Sequence, residues 1–196
     1  MAFVPFMLCE RLTDPARLQN RRYIAEPKLD GQRAQLHIHQ GRTVACYSRR
    51  GLDLLRHAGM AWLRELTWPV TSAVLDGEAV AGDGHEGIQA VFAERDKPGG
   101  AMAFMAFDVL ELAGHRVMRQ PWRDRRKRLE DLFAAVTLPR VGLVPVTEDA
   151  AGLYETWVAM GGEGIVLKET TSLYRPGLRS AAWLKLKPKL TLDRLG

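Results

Sequence analysis

Glu26-Pro27-Lys28-Leu29-Asp30-Gly31-Gln32-Arg33 is the stretch on which the reading of this chain turns. It brings an amine, two carboxylates, a glycine and an arginine together over a short span. Residues 21–26 read as a strand that enters a turn at Leu29-Asp30-Gly31, where glycine permits a backbone conformation closed to other residues. Residues two apart on an extended strand share a face, so Glu26 and Lys28 point into the same space. A lysine amine can attack a nucleotide α-phosphate once nearby cations or partial desolvation lower its pKa and free it of its proton. Arg33, Lys185, Lys187 and a bound Mg²⁺ would supply that field. A bare Lys-x-Asp-Gly is as readily a surface turn, so the weight rests on what surrounds it.

Working outward, Ala34, Leu36 and Ile38 alternate with Arg33, Gln35, His37 and His39. Gln40-Gly41-Arg42 then turns the chain, and 43–49 returns to close a β-hairpin. Residues 53–66 carry apolar side chains at helical spacing (Leu54, Leu55, Ala58, Ala61, Trp62, Leu66) and predict one helix. Strands are predicted over 73–81, 101–112, 141–146, 163–168 and 180–187. Polar loops are predicted at 82–87 and 96–100. Helices are predicted over Pro121 to Ala135, with proline at an early position, and over Thr147 to Met160, capped by Thr147 and stopped by Gly161-Gly162. Strands and helices mixed without βαβ regularity predict an α+β fold with antiparallel sheets.

The chain has 196 residues and is 46% hydrophobic, enough for one core or for a core split around a cleft. No apolar run is long enough to span a bilayer, and no basic leader precedes the apolar start, so no membrane role and no signal peptide is expected. Two cysteines, Cys9 and Cys46, lack metal-ligand spacing and predict free thiols in a reducing, cytoplasmic setting. A net charge of +5 leans only slightly toward a polyanionic partner.

Further motifs follow in order: Ser48-Arg49-Arg50-Gly51, Asp76-Gly77-Glu78, Phe107-Asp108, Glu163-Gly164-Ile165-Val166-Leu167-Lys168 and Trp183-Leu184-Lys185-Leu186-Lys187. Lys185 and Lys187 share a strand face with Trp183. Two lysines side by side repel unless an anion lies between them, and an α-phosphate is such an anion. Arg123, Arg125, Arg126, Lys127 and Arg128 crowd one helix; a solvated face is the favoured reading, with a DNA backbone contact as the alternative.

This ordered set, from about Tyr23 to Lys187, resembles the covalent nucleotidyltransferase superfamily, and within it the adenylation domain of ATP-dependent DNA ligases. The resemblance implies two antiparallel β-sheets with flanking helices around an ATP cleft, the DNA ligase and mRNA capping catalytic fold, which is ATP-grasp-like. It implies Lys28 as the nucleophile that becomes lysyl-AMP, which then passes AMP to a DNA 5′-phosphate before a 3′-hydroxyl seals the nick. It implies Glu26 as the acceptor for the adenine 6-amino group, disfavouring GTP. Arg33 and Arg49 would contact ribose, phosphates or the incoming 5′-phosphate, with Arg50 pointing away. Phe107 would stack on adenine, with Val166 on its other face, and Lys185 and Lys187 would hold the α-phosphate. Glu78 would hold the ribose and, with Glu163, a metal: Mg²⁺, with Mn²⁺ as the alternative ion. Strict alternation sets Val166 opposite Glu163 unless Glu163 belongs to the preceding turn.

The resemblance also implies nicked double-stranded DNA as the acceptor. Residues 1–196 are expected to form the adenylation domain with no OB-fold domain, that part being supplied in trans by a domain or partner. No nicotinamide-recognition module is expected, against the NAD-dependent ligases. Pro5-Met7-Leu8 ahead of Lys28 looks like compact bacterial ligases, including those joined to end-joining enzymes, which suggests the bacterial cytosol. Replication, repair, recombination and end joining all remain open as pathways. The competing readings are an RNA ligase or capping-type nucleotidyltransferase, and a degenerate DNA-end or partner-binding module.

Overall fold

Two twisted β-sheets face each other, and their strands carry most of the motif residues. The structure, a computed structural model, describes residues 2–81 and 102–188; the loops expected at 82–87 and 96–100 lie outside the described residues. The strands are β1 (Leu8–Arg11), β2 (Tyr23–Pro27), β3 (Gln32–His39), β4 (Arg42–Ser48), β5 (Ser72–Val80), β6 (Ala103–Leu112), β7 (His115–Arg116), β8 (Val141–Leu143), β9 (Ile165–Glu169) and β10 (Arg179–Leu186). The smaller sheet has the order β1-β10-β9-β2 and the larger β4-β3-β5-β6-β7, with β8 beside β6. Pairing is antiparallel except at two places, where β1 runs parallel to β10 and β8 parallel to β6. The sequence reading had no strand at Leu8–Arg11 and so no parallel edge.

Three apolar clusters hold these layers together, each fully buried Leu or Ile contributing about 1.5–3 kcal/mol. One lies behind the larger sheet, where Ala34, Leu36, Ile38, Leu75 and Phe104 meet Leu54, Leu55, Leu63, Leu129 and Leu132. The second lies between the sheets and joins Met7, Val74, Leu110, Trp122, Tyr174 and Trp183. The third backs the smaller sheet, packing Ala25, Ile165, Leu167 and Leu184 against Leu12 and Ala150.

The helix expected over 53–66 is broken. A 3-10 turn (Leu54–Arg56), the short helix α1 (Ala58–Ala61) and another 3-10 turn (Trp62–Glu65) replace it. Extended backbone at His57 (φ −90°, ψ 135°) interrupts it, and Asp53 ties the start to β4 by accepting from Leu55 N and Cys46 N. The apolar spacing was real, since Leu54, Leu55, Leu63 and Leu66 are buried, but packing rather than propensity set the backbone. Helix α2 (Trp122–Ala134) follows Pro121 as expected. Helix α3 (Ala150–Ala159) starts later than expected and is capped by Asp149, which accepts from Gly152 N at 2.9 Å. Thr147 is spent elsewhere: its backbone N–H and C=O pair with Ala25 on β2.

Burial of the polar face of β3 was not foreseen. Gln35 and His37 are 0% and 1% exposed: the Val4 backbone lies on Gln35, and the Tyr47 ring packs edge-on against His37 with centres 5.0 Å apart. Gln35 holds the Val4 backbone from both sides, accepting from its N–H and donating to its C=O, each at 3.0 Å. The Gln35 Oε1 atom also lies 2.8 Å from His37 Nε2, so the ring donates through Nε2 and is neutral, with Nδ1 unpartnered. Burial pushes the His37 pKa down to about 4. An unfolded chain takes up a proton near its ordinary value of 6.5 that the native ring refuses. Stability is therefore expected to fall as pH drops from about 6.5 toward 4. A His37→Gln chain is expected to show a shallower decline of melting temperature across that window; parallel curves for the two proteins would refute the assignment.

Candidate functional site

Lys28 lies just after β2, and its backbone is held on two sides. Its N–H donates to Gly164 C=O at 2.8 Å, and its C=O accepts from Trp157 Nε1 of α3 at 3.3 Å. Gly164 has φ +114°, and a Cβ there would lie 2.0 Å from Leu186 O, so only glycine fits. That kink resolves the Glu163 and Val166 conflict: Glu163 precedes β9, which starts at Ile165. Gly31 is required for a different reason from the one expected. A Cβ there would meet Ala79 O at 2.3 Å, so the turn needs close approach to β5 rather than an unusual φ.

A cleft of about 240 Å³ opens between the sheets. Lys28, Glu26, Arg33, Arg49, Glu78, Phe107, Val166 and Lys185 all line it. Arg49 is exposed in the turn after β4. Glu163 and Lys187 meet Lys28 at one end instead: the Glu163 carboxylate ion-pairs with both Lys28 Nζ and Lys187 Nζ. This carboxylate lies between Lys28 and Lys187, not between Lys185 and Lys187, the pair expected to flank a phosphate. Burial alone would raise the Glu163 carboxyl; the hydrogen bonds from Lys187 and Lys28 outweigh it and hold the carboxyl below its usual range.

The Glu78 side chain makes no hydrogen bond or ion pair to another described residue, though its backbone is paired within the sheet. Burial pushes its carboxyl up to about 8, Arg33 and Lys28 oppose that, and Asp76 and Glu163 add to it. A cation near Glu78 and Glu163 would relieve this repulsion. Among the described residues no group of three or more His, Cys, Asp or Glu could hold a metal alone. An Mg²⁺ here would complete its shell with water and phosphate oxygens, as that ion commonly does.

Arg33 is more constrained than a free phosphate contact. It grips Asp76 with Nε at 3.0 Å and Nη2 at 2.7 Å. Burial disfavours its charge, but the Asp76 carboxylate more than offsets that and keeps it protonated. The helix run is corrected too: Arg125 and Arg126 are buried, at 0% and 6% exposure, so neither is solvated nor free for DNA. Arg125 forks onto Asp108 at 2.8 and 2.8 Å.

Sequence reasoning missed Lys168, Trp183 and Cys9, which also line the cleft. Lys168 is 1% exposed and pairs with Glu26 Oε2 at 2.8 Å, while its Nζ lies 4.2 Å from the Phe107 ring centre and 4.4 Å from that of Trp183. It stood in a quoted motif, and its strand parity with Val166 was the available signal. The second Glu26 oxygen, Oε1, is buried with no partner. Burial raises the Glu26 carboxyl, partly countered by Lys168. The cleft therefore has an unpaired acceptor and an aromatic ring at one part, and an amine with carboxylates and lysines at another.

Comparison with known proteins gives a consistent picture. A family profile described as "ATP dependent DNA ligase domain" matches residues 6–187. A probable DNA ligase of Mycobacterium sp. (strain KMS) is 36% identical over 181 residues, covering 87% of this chain and 34% of the relative. A DNA ligase of Methanoculleus marisnigri is 32% identical, covering 97% of this chain and 36% of the relative. The chain thus spans about a third of the length of the curated relatives it matches. Among solved structures, the ligase domain of M. tuberculosis LigD superposes with a TM-score of 0.78 at 29% identity, covering 94% of this chain and 60% of that one. A mycobacterial DNA ligase D complexed with ATP and MES superposes with a TM-score of 0.76 at 28% identity, covering 95% and 62%.

Proposed function

The chain belongs to the ATP-dependent DNA ligase domain family, and from that premise we propose that residues 1–196 act as the adenylation domain of a DNA ligase with Lys28 as nucleophile. Lys28 Nζ, once free of Glu163 and of its proton, attacks the ATP α-phosphorus. A P–N bond forms, the bond to the β-phosphate oxygen breaks, and pyrophosphate leaves. A DNA 5′-phosphate oxygen then attacks the same phosphorus, the P–N bond breaks, and Lys28 is regenerated. A 3′-hydroxyl attacks the activated 5′-phosphorus, and AMP leaves as the nick closes.

Each remaining group has a task in this reading. Phe107 and Val166 hold the adenine. Glu26 Oε1 accepts from its 6-amino group, and Lys168 fixes Glu26 and Phe107. Arg33 and Glu78 meet the ribose, Lys185 and Lys187 stabilise charge on the α-phosphate, and Arg49 takes the incoming 5′-phosphate. Glu78 and Glu163 would hold Mg²⁺, which supplies charge neutralisation for the triphosphate. Nicked duplex DNA is the acceptor, and an OB-fold domain or a protein partner shares its binding.

The observation that carries the reading is the buried, unpartnered Glu26 Oε1 in the same cleft as the Lys28 amine. The test is the intact mass of the purified chain after incubation with Mg²⁺ and either ATP or GTP. A gain of one AMP with ATP, lost on acid treatment, and little gain with GTP are expected; charging by GTP in preference to ATP would overturn the purine assignment. Glu26→Gln presents an amide that can turn its N–H₂ toward a guanine carbonyl. Its ATP over GTP preference is expected to fall by about tenfold or more, and unchanged preference would remove Glu26 from the purine edge. Among the described residues no helix is long and apolar enough to cross a membrane.

A further inference from the structure

Met7, Arg33, Asp76 and Tyr174 form a closed ring of hydrogen bonds behind the cleft. Met7 N–H donates to Tyr174 Oη at 3.1 Å, and the Tyr174 hydroxyl donates to Asp76 Oδ2 at 2.8 Å. Arg33 donates to both Asp76 oxygens, at 3.0 and 2.7 Å, and through Nη1 to Met7 C=O at 2.7 Å. Three separate pieces of chain meet here: the segment entering β1, the β3–β5 pair of the larger sheet, and the loop between β9 and β10 of the smaller sheet. Asp76 and Tyr174 are 0% and 3% exposed, so the ring is screened from water and its bonds are not readily exchanged for solvent.

The ring ends on the cleft wall. The Arg33 guanidinium lies 5.3 Å from the Phe107 ring centre and 5.5 Å from that of Trp183. All three side chains line the cleft. An aspartate carboxylate rotates broadly about its last torsion. The Arg33 fork and its bond to Met7 C=O hold the Asp76 carboxylate from one side, whereas the Tyr174 hydroxyl, from the loop between β9 and β10, holds it from the other and so fixes its plane and with it the fork. The Tyr174 ring is also packed edge-on against Trp183, with centres 5.6 Å apart at 80°.

We propose that Tyr174 is a positioning residue of the nucleotide cleft: through Asp76 it sets the orientation of Arg33 against Phe107 and Trp183, and so couples the smaller sheet to the nucleotide contacts of the larger one. This rests on the nucleotide reading of the cleft. Tyr174→Phe deletes one oxygen and keeps the ring, so the fold is retained while the Asp76 carboxylate, and through it the Arg33 fork, loses one of the bonds that set its orientation.

The test follows the rate of adenylylation of the chain by intact mass, as a function of ATP concentration, at a temperature well below melting for every variant. For Tyr174→Phe the half-saturating ATP concentration is expected to rise about fivefold while the maximal rate stays within about twofold, as for a lost ground-state contact. Arg33→Lys is expected to raise it at least as much. The Tyr174→Phe, Arg33→Lys double variant is expected to be no worse than Arg33→Lys alone, because the hydroxyl acts only through the fork. A merely structural hydroxyl would lower the melting temperature yet leave the ATP dependence unchanged, or would add its effect to that of Arg33→Lys; either result overturns the proposal. A wild-type chain that binds ATP without being charged is compared on ATP affinity by calorimetry, with the same expected pattern. A wild-type chain that neither binds ATP nor is charged overturns the nucleotide reading and this proposal with it, whereas normal charging with unaltered ATP dependence in Tyr174→Phe overturns this proposal alone.

Discussion

Lys28→Ala is expected to show no gain of AMP on incubation with ATP and Mg²⁺, at any time or nucleotide concentration that charges the wild-type chain. The loss is complete rather than partial because the described lysines nearest to the cleft are unsuited to replace it. Lys168 is 1% exposed and held by Glu26. Lys187 is paired with Glu163 on the far side of that carboxylate from Lys28 Nζ, one oxygen each. Lys185 stands opposite Val166 in the sheet register, where by the proposed reading it touches phosphate oxygens rather than the line of attack. Lys28→Arg is the sharper variant. It can keep an ion pair to Glu163, and so the folded state, but a guanidinium is not deprotonated near neutral pH and cannot attack. Both variants are expected to retain sealing of a nick that is already adenylylated, to whatever extent the wild-type chain has it, since that step no longer needs the amine. A Lys28→Ala chain that still gains AMP would remove Lys28 from the chemistry.

Arg125→Ala is expected to produce the largest loss of stability of any single change considered. Both Arg125 and Asp108 side chains are 0% exposed, and the guanidinium also donates to Gln120 C=O at 2.7 Å and Ser172 C=O at 3.0 Å. These bonds tie α2 and the loop after β9 to β6. Deleting the arginine leaves the Asp108 charge buried without a counterion, which costs about 3–5 kcal/mol. For a chain of this size that is a fall in melting temperature of roughly 10–15 °C. Replacing both partners by apolar residues of similar volume, as in Arg125→Met with Asp108→Leu, is expected to recover much of the loss, because the penalty belongs to the stranded charge and not to the pair. Circular dichroism melts of the single and double variants measure this. A single variant that melts within about 3 °C of the wild-type chain would show that Asp108 is not stranded.

Much of the site could be read along the chain because its residues occur in short motifs on strands. A period of two puts Glu26 and Lys28 on one face, as it does Trp183 and Lys185, whatever the rest of the molecule does. The α+β class followed from the same periodicity. The errors that concern buried polar side chains have a shared origin. The charged run at Trp122–Arg128 looks solvated until Asp108, lying 17 residues away from Arg125, takes up the guanidinium. Gln35 looks like part of an exposed polar face until the chain near Val4 pairs with it. In each case a polar side chain is buried by a segment that periodicity within its own element cannot reveal.

By itself the sequence determined which residue types stand at which strand positions, and hence that an amine, an aromatic ring, carboxylates and lysines would come together as a set. Only the tertiary structure decided how those groups are held before a ligand arrives. It paired Glu163 with Lys28 and Lys187, left Glu26 Oε1 without a partner, and fixed Arg33 through Asp76 and Tyr174, which are 98 positions apart in the chain. The physical reason is range. Backbone geometry is set by neighbours a few residues away and can be read locally, whereas burial, desolvation and the pairing of charges depend on segments that meet only when two sheets close on each other.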